Sequence, residues 1–448
     1  MRRTISWASM SESRPPAHTA GRLRVLAWAL WDCGSTGVGA IVVTFVFSVY
    51  LTRSVGDDPS GDTSPASGLG WALFFSGVTV ALLAPVTGVW VDAAHRRRQT
   101  LAVLTTMVVL LTSAMSLIRD DPSYLLAGLL LLGFTAACND LASVPYNAML
   151  RQLTTPDMYG RVSGFGWAAG YIGSTVLLLV VYAGFIEGDG PTVGLLDIPT
   201  AGGQNVRAAM LVTAAWMAAF ALPVLLAPPP PADLEPPVRT STGVLGAYRK
   251  LWSDLVGEWK RDRHVVYYLL ASAVFRDGLA GMFTFGAVLG VIVYGVSAAD
   301  VLLFGITANV VAAAGAVLGG LLDDRVGSKA VILGSLAAMI VVGLTLMALS
   351  GVVAFWACGL LLCLFIGPTQ ASARTLLLRM TVHGKEGVAF GLYTMTGRAV
   401  APLAPFMFST FVAVFGADRA GIGGVLLVLS AGFTAMLAVR VPRRAAVV

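Results

Sequence analysis

The sequence predicts an all-α integral membrane protein with twelve transmembrane helices in two pseudo-symmetric six-helix bundles. Only 12% of the 448 residues are charged, against roughly 25% in soluble proteins, and the mean hydropathy is +0.79. Apolar runs of about 20 residues recur along the chain, and each is long enough to cross a hydrocarbon core about 30 Å thick. A glycine–acid–base cluster also occurs once in each half of the chain, both times after a second apolar run. Such a repeat is typical of secondary transporters built from two related bundles.

The predicted spans divide into two sets of six around a segment rich in proline and basic residues. This segment opens with Pro228–Pro231, and a run of prolines is typical of an extended linker. Its last part, 251–263, is predicted to be a short amphipathic helix on the membrane surface. The predicted organisation is an N-terminal tail (1–24), a first bundle (25–227), a linker (228–263), a second bundle (264–440) and a C-terminal tail (441–448).

The distribution of Lys and Arg predicts that both termini and the linker are cytoplasmic. With that orientation 23 of the 30 basic residues fall on inner segments, 4 on outer segments and 3 within spans, in agreement with the positive-inside rule. The basic residues thus indicate topology in the cell membrane, and no nucleic-acid partner is expected. The outer loops are acidic, with Asp57, Asp58, Asp62, Asp120, Asp121, Glu187, Asp189 and Asp197.

Several classes of function are not supported by the sequence. The four cysteines all lie in apolar runs and lack the spacing of a zinc site. No nucleophile elbow, metal-binding set or phosphate-binding loop is present, so we expect neither an enzyme nor an ATP-driven pump, and no cofactor or metal. The expected partners are a small-molecule substrate, a coupling proton and the lipid bilayer, and the protein is expected to act as a monomer.

The two repeated clusters, residues 88–97 and 320–329, are named here the gating loops. A carboxylate at the end of a helix can cap a neighbouring helix or bridge to another one. We expect these loops to hold the bundles together in the outward-facing state, and their basic residues to fix the topology as well. The residues concerned are Gly88, Asp92, Arg96 and Arg97 in the first loop, and Gly320, Asp324, Arg325, Gly327 and Lys329 in the second.

The second gating loop resembles the signature loop of the major facilitator superfamily. In the first loop Ala93 replaces the usual base and His95 the usual glycine, so we expect the second loop to carry more of the closure. The resemblance implies the major facilitator fold, in which two six-helix bundles enclose a central cavity.

Three further segments resemble the "unknown major facilitator" group, which includes the autophagy-related vacuolar amino-acid effluxers of fungi. These segments are 28–47, 160–171 and 370–398, and the resemblance as a whole extends from about 24 to 440. It implies a bacterial, actinobacterial, member that transports amino acids or similar solutes. The chain departs from the group at Gly34 and at Arg276, where asparagine is common.

Three carboxylates lie within predicted spans, where a charged side chain costs about 2.5–3.5 kcal/mol on insertion scales. Asp32 and Asp277 lie on the first helix of each half, which the resemblance implies is a cavity-lining helix. We interpret one or both as proton-binding groups, because a carboxyl in an apolar wall can load and release a proton near neutral pH. The alternative is a salt bridge between helices, for example Asp277 with Arg398. Asp140 in span 4 is interpreted as a binding group, or as a hydrogen-bonding group between helices.

Other polar residues in the spans are candidates for binding the substrate. Arg398 lies near the midplane, where its guanidinium suits an anionic substrate group. The alternative is that it pairs with an aspartate and changes partner as the cavity opens to the other side. Gln370 and Arg374 are four residues apart and share a helix face, although Arg374 is also close enough to the inner end to extend to the membrane surface. The remaining candidates are Asn147 as a polar group and, as the pocket wall or as helix packing, Trp31, Trp167 and Tyr171.

We therefore predict a proton-coupled secondary transporter that exports an amino acid or similar small molecule by alternating access. One alternative is an exporter of amphipathic compounds with the same fold. Another is a membrane receptor or assembly protein that does not transport, although such a protein has no need of costly charges in a cavity. Paired prolines, Pro402 and Pro405, predict a kink and a hinge in span 11.

Overall fold

The computed structural model describes residues 21–56, 64–188, 190–227 and 244–441. Twelve helices in these ranges are long and apolar enough to cross a membrane, which confirms the predicted number. Residues 1–20 and 442–448 of the predicted tails, Pro228–Pro231, and the acids Asp57, Asp58, Asp62 and Asp189 lie outside the described residues. The spans, numbered 1 to 12 below, are Arg22–Val55, Pro65–Val91, His95–Leu117, Pro122–Leu153, Pro156–Ile186, Ala201–Leu226, Lys260–Ile292, Leu303–Val326, Ser328–Ala348, Val352–Met380, Glu386–Phe415 and Ala420–Ala438.

Several spans contain more than one helix. Spans 1 and 5 end in π-helical turns, and a two-residue antiparallel pair, Thr192–Val193 with Ile198–Pro199, forms a small hairpin between spans 5 and 6. The α-helices are Arg22–Val38, Phe47–Tyr50, Pro65–Val91, Ala94–Ala114, Leu125–Ala148, Leu150–Leu153, Tyr159–Val181, Gln204–Leu226, Val244–Ile292, Ala298–Val326, Ser328–Ala348, Val352–Met380, Glu386–Val400, Leu403–Phe415 and Ala420–Ala438.

The two halves pack their helices in the same way. In the first bundle, span 1 packs against spans 5 and 6, span 4 packs against spans 2 and 3, and span 3 packs against span 6. In the second bundle, span 7 packs against spans 11 and 12, span 10 packs against spans 8 and 9, and span 9 packs against span 12. Because each pair recurs six spans later, the fold agrees with the duplication that the gating loops indicate.

The most extensive contacts between the bundles are those of span 2 with span 11 and of span 5 with span 8. Glycines form these seams: a Cβ atom on Gly88 would collide with the carbonyl of Gly387, and one on Gly160 with the carbonyl of Gly320. Small residues allow membrane helices to approach to backbone contact. The seams lie where span 6 ends and the helix leading into span 7 begins, and this end of the molecule is named the linker end.

The molecule is closed at the linker end. Hydrogen bonds and ion pairs that join the bundles, within the ranges described above, lie at this end or close to the middle of the spans. The structure thus corresponds to one state of an alternating-access cycle.

Two features near the second bundle bear on the predictions. The helix that leads into span 7 begins at Val244, earlier than the predicted residue 251, and is kinked at Asp262 (φ −153°, ψ 93°). The predicted kink in span 11 is confirmed, because one helix ends at Val400 and the next begins at Leu403, after Pro402. Proline has no backbone N–H to donate and disfavours a helical residue before it.

Candidate functional site

The acid of each gating loop binds the N-terminus of a helix in the opposite bundle. Asp92 Oδ1 accepts a hydrogen bond from the backbone N–H of Val388 (3.0 Å). Asp324 accepts two, at Oδ1 from Gly160 (2.8 Å) and at Oδ2 from Arg161 (3.0 Å). The first N–H groups of a helix have no partner within the helix and carry partial positive charge. Each carboxylate therefore stabilises the closed arrangement of the linker end.

A buried ion-pair cluster lies beside the Asp92 contact. Arg97 Nη2 lies 2.8 Å from Glu386 Oε2, and the two side chains are only 3% and 2% exposed. Arg151 Nε lies 2.9 Å from the other oxygen of Glu386. Arg97 also donates to the carbonyls of Val91 (3.0 Å) and Ala148 (3.1 Å). Two cations of the first bundle thus enclose one carboxylate of the second, in a site with little access to water.

Among the other residues of the second gating loop, Lys329 has a different role from the one predicted. Lys329 Nζ donates to the carbonyls of Leu437 (3.0 Å) and Val439 (2.7 Å) at the end of span 12, so it acts within its own bundle. Arg325 is exposed. Gly327 joins two helices with a φ of 92°, a conformation that favours glycine. In the first loop the helix begins at Ala94, so His95, at the position of the usual glycine, lies within the helix and no glycine is needed there.

The contacts of Asp92 and Asp324 give a prediction for their asparagine variants. Asp324→Asn is expected to slow transport more than Asp92→Asn, on the order of tenfold, since a hydrogen bond to a charged group contributes about 1.5–3 kcal/mol. The reason is that both oxygens of Asp324 accept backbone bonds from the opposite bundle, and an amide nitrogen cannot accept one. At Asp92 the retained carbonyl oxygen can still bind Val388. Initial rates of solute flux in proteoliposomes measure the difference, and equal rates for the two variants would contradict it.

Closer to the midplane, Arg374 of span 10 reaches across into the first bundle. Its Nε donates to the Ser163 hydroxyl (2.9 Å), its Nη2 to the Ser163 carbonyl (2.7 Å) and its Nη1 to Asn147 Oδ1 (3.1 Å). Nη1 also lies 3.7 Å from Asp32 Oδ2. The residue is 4% exposed, so it does not extend to the membrane surface, which the sequence left open as an alternative.

Asp32 is held in this cluster by an aromatic group of its own bundle. The Tyr146 hydroxyl donates to Asp32 Oδ2 (3.0 Å), and the Tyr146 ring stacks between Trp28 and Trp31. Arg374 lies over the Trp28 ring at 4.9 Å. The carboxylate is thus fixed on one side by a hydroxyl and faces the guanidinium of the other bundle.

A second charged pair joins the bundles at mid-membrane. Arg398 of span 11 forms an ion pair with Asp140 of span 4, and both side chains are partly exposed. The suggested salt bridge between Arg398 and Asp277 is therefore wrong. Arg398 is also not available as an unpaired anion-binding group, because Asp140 occupies it in this state.

Asp277 caps the broken helix in span 11. Its Oδ2 accepts a hydrogen bond from the Ala404 N–H (2.6 Å), and the residue is 6% exposed. Ala404 is in the first turn of the helix Leu403–Phe415, where N–H groups have no helical partner. Because Pro402 interrupts span 11 within the membrane, a carboxylate from span 7 supplies the missing acceptor.

The aromatic candidates divide between the bundle interior and the cavity. Trp31 is 1% exposed and donates its indole N–H to Thr105 (3.1 Å), so it packs inside the first bundle and does not form a pocket wall. Trp167 and Tyr171 pack together against span 8. The indole nitrogen of Trp167 is buried without a hydrogen-bond partner among the described residues, and Arg374 lies 5.9 Å from its ring. A buried indole N–H normally has a partner, so this donor is left unsatisfied in this state.

Gln370 and Arg96 are the remaining predicted residues. Gln370 is half-buried on span 10 and forms no hydrogen bond with a described residue, while Arg96 is half-buried at the linker end. Within the described ranges, no group of three or more His, Cys, Asp and Glu side chains is arranged to hold a metal ion.

Sequence reasoning missed three residues of the site: Glu386, Arg151 and Ser163. Glu386 was detectable in principle, because it is an acid in a loop that otherwise carries Arg379 and Lys385. Ser163 had no such signal, since a serine in a span is usually bonded within its own helix.

The comparisons with known proteins agree with this architecture. A family model described as Major Facilitator Superfamily matches residues 33–405. An uncharacterized MFS-type transporter of Bacillus subtilis (strain 168), YxiO, is 21% identical over 408 residues, which are 91% of this chain and 92% of that protein. An uncharacterized protein of Aquifex aeolicus (strain VF5) is 27% identical over 157 residues, 35% of this chain and 38% of that protein.

Solved structures share the fold at low sequence identity. The proton:xylose symporter XylE matches with a TM-score of 0.67 and 14% identity, over 93% of both chains. FucP in the outward conformation matches with a TM-score of 0.68 and 13% identity, over 94% of this chain and 99% of that one. A bacterial homologue of the iron transporter ferroportin, in the outward-facing state, matches with a TM-score of 0.65 and 16% identity, over 93% of this chain and 97% of that one.

Proposed function

We propose that this chain, which belongs to the Major Facilitator Superfamily and is a secondary transporter, exports an amino acid or similar small organic solute in a proton-coupled cycle. The family and fold are those of membrane transporters and not of enzymes. The proposed location is the cell membrane with the linker end in the cytoplasm, which is supported by the 23 of 30 basic residues on that side.

The observation that carries the proton coupling is the ion pair between Asp32 and Arg374 (3.7 Å). It joins the two bundles close to the cavity, and Arg374 has little contact with water. An uncompensated charge in such a site is strongly unfavourable, by about 3–5 kcal/mol when a buried pair loses one partner. The protonation state of Asp32 therefore influences how firmly the bundles are held together.

The proposed cycle follows from this coupling. When Asp32 takes up a proton from the side opposite the linker end, Arg374 loses its ionic partner and the contact between the bundles weakens. The linker end can then open to the cytoplasm, release the proton and admit the solute. Deprotonated Asp32 attracts Arg374 again and favours the closed state. A proton shifts the equilibrium here because it binds the two states with different affinity.

The proposed substrate class comes from the resemblance of segments 28–47, 160–171 and 370–398 to amino-acid effluxers. The proposed site lies between the Asp32–Arg374 cluster and the Arg398–Asp140 pair, with Trp167 and Tyr171 as an aromatic wall. Its charged and hydrogen-bonding groups suit a small polar solute, and the indole N–H of Trp167 has no hydrogen-bond partner among the described residues in this state.

The proposal is tested by flux measurements in proteoliposomes with an imposed proton gradient and a panel of amino acids. Wild-type protein is expected to show gradient-dependent flux of at least one of them. Asp32→Asn is expected to lower the gradient-dependent flux at least tenfold, because a neutral side chain cannot bind and release the coupling proton. Asp157→Asn, which changes an exposed acid at the linker end, is the matched control and is expected to transport normally.

Asp277 provides a second arm of the same experiment. Because its carboxylate caps the helix at Ala404, Asp277→Asn keeps an acceptor oxygen and is expected to retain most of the flux, whereas Asp277→Ala removes the cap and is expected to lower it. Loss of coupling in Asp277→Asn would make Asp277 the proton-binding group. Absence of gradient-dependent flux for every amino acid would overturn the proposed function.

A further inference from the structure

Arg276 is a cation at mid-membrane with an unusual environment. Its guanidinium stacks on the Tyr393 ring, 3.7 Å from the centroid, and Nη1 donates to the Tyr393 carbonyl (3.1 Å). Gly397 lies beside it: a Cβ atom at that position would be 3.2 Å from Nη1 and 3.3 Å from Nη2. Span 11 therefore provides a flat, narrow surface on which the guanidinium of span 7 lies.

Arg276 differs in its ionic partners from Arg374 and Arg398, the other two arginines deep within the spans. Arg374 pairs with Asp32 and Arg398 with Asp140. The adjacent carboxylate of Asp277 is directed to the Ala404 N–H. No carboxylate among the described residues forms an ion pair with Arg276, which is half-buried. A charged side chain deep in a span is costly to insert and normally marks a functional position.

We infer that Arg276 binds an anionic group of the substrate, and that the substrate is therefore an organic carboxylate. This inference rests on the proposed transport function and deepens it. The tyrosine ring fixes one face of the guanidinium, and the carbonyl bond fixes its rotation. The remaining N–H groups form a planar fork that matches a carboxylate in a bidentate pair. The sequence suggested Arg398 for this role, but the ion pair with Asp140 leaves Arg276 as the better placed cation.

The inference also separates two substrate classes. A neutral or cationic amphipathic compound gains nothing from an unpaired guanidinium, whereas a carboxylate supplies the charge that the site lacks. Arg276 thus favours the carboxyl end of a solute and disfavours cationic drugs by repulsion.

The test is a binding measurement on the purified full-length protein in lipid nanodiscs, without any gradient. The probes are matched pairs that differ at the carboxyl group: L-leucine with L-leucinamide, L-phenylalanine with L-phenylalaninamide, and benzoate with benzamide. Wild-type protein is expected to bind at least one carboxylate more tightly than its amide by thermal shift and calorimetry. Arg276→Gln is expected to weaken binding of that carboxylate roughly 10- to 100-fold and not to weaken binding of the matching amide. Arg53→Gln makes the same chemical change at an exposed arginine of span 1 and is the control expected to bind normally.

Two results would overturn the inference. One is that wild-type protein binds no carboxylate in the panel more tightly than its amide. This comparison uses the wild-type protein alone, so it does not depend on whether a variant folds. The other is that Arg276→Gln keeps the wild-type preference. Failure of this inference can be distinguished from failure of the proposed function. If carboxylates bind through Arg276 but no gradient-driven flux is found, only the transport proposal is contradicted. Flux that Arg276→Gln leaves unaltered for a carboxylate contradicts this inference alone.

Discussion

Glu386→Gln is expected to open the linker end of the protein. The carboxylate of Glu386 is paired with Arg97 and Arg151 in a site that water hardly reaches. The neutral variant leaves two guanidinium groups buried against each other, and removal of one partner of a buried pair costs about 3–5 kcal/mol. Since separation of the bundles returns these groups to water, the equilibrium between closed and open states is expected to shift by about 10²–10³-fold.

This shift is measurable as a distance between the bundles. Spin labels at Gln99→Cys and Ala330→Cys lie at exposed positions of the linker end, one on each bundle, and the four native cysteines are buried. Glu386→Gln is expected to add a population at longer distance. Asp157→Asn neutralises an exposed acid at the same end and is expected to keep the wild-type distribution. An unchanged distribution in Glu386→Gln would show that the buried pairs do not hold the closed state.

Gly88→Ala is expected to prevent full closure between spans 2 and 11. A Cβ atom at Gly88 would collide with the carbonyl of Gly387 and lie 3.2 Å from the Cα of Gly391. Both neighbours are backbone atoms, so the helices must separate to make room. Overpacking of a tight interface costs about 1–3 kcal/mol, which corresponds to a shift of roughly 10- to 100-fold toward the open state.

The matched control is Gly77→Ala in the same helix. A Cβ atom at Gly77 has no atom within 4 Å, so this variant introduces the same chemical change without a collision. The spin-label pair described above is expected to report a longer distance for Gly88→Ala and the wild-type distance for Gly77→Ala. If both alanine variants give the same distribution, the glycine seam does not limit closure.

The fold could be predicted from local properties of the chain. Twelve apolar runs, the repeat of the gating loops and the interruption at Pro402 depend on residues close together in sequence, and the structure agrees with all three. The resemblance to the major facilitator superfamily, read from the second gating loop, agrees with the family model. The narrower resemblance to amino-acid effluxers remains a proposal.

The site could be predicted only in part. Asp32, Asp140, Arg374 and Arg398 were recognised because charges within a membrane are rare and costly. Which of these residues pair with each other was not recognised, and the pairing suggested for Arg398 was wrong. Lys329 was assigned to the closure between bundles, although it binds carbonyls at the end of span 12. Glu386 was overlooked, although it is an acid in an otherwise basic loop, because its partners Arg97 and Arg151 are distant in sequence.

The sequence alone determined the class of protein, the number of spans, the repeat, and which ionisable residues lie within the spans. Hydropathy and motif spacing are local, and each residue carries them independently of its distant neighbours. The tertiary structure decided which charge faces which. Arg374 contacts Asp32, and Glu386 contacts Arg97, because each span is held at one rotation about its own axis and at one depth in the membrane relative to spans distant in the chain. That rotation follows from the packing of small residues at the seams, such as Gly88 on Gly387, and a pattern read along one helix does not contain it.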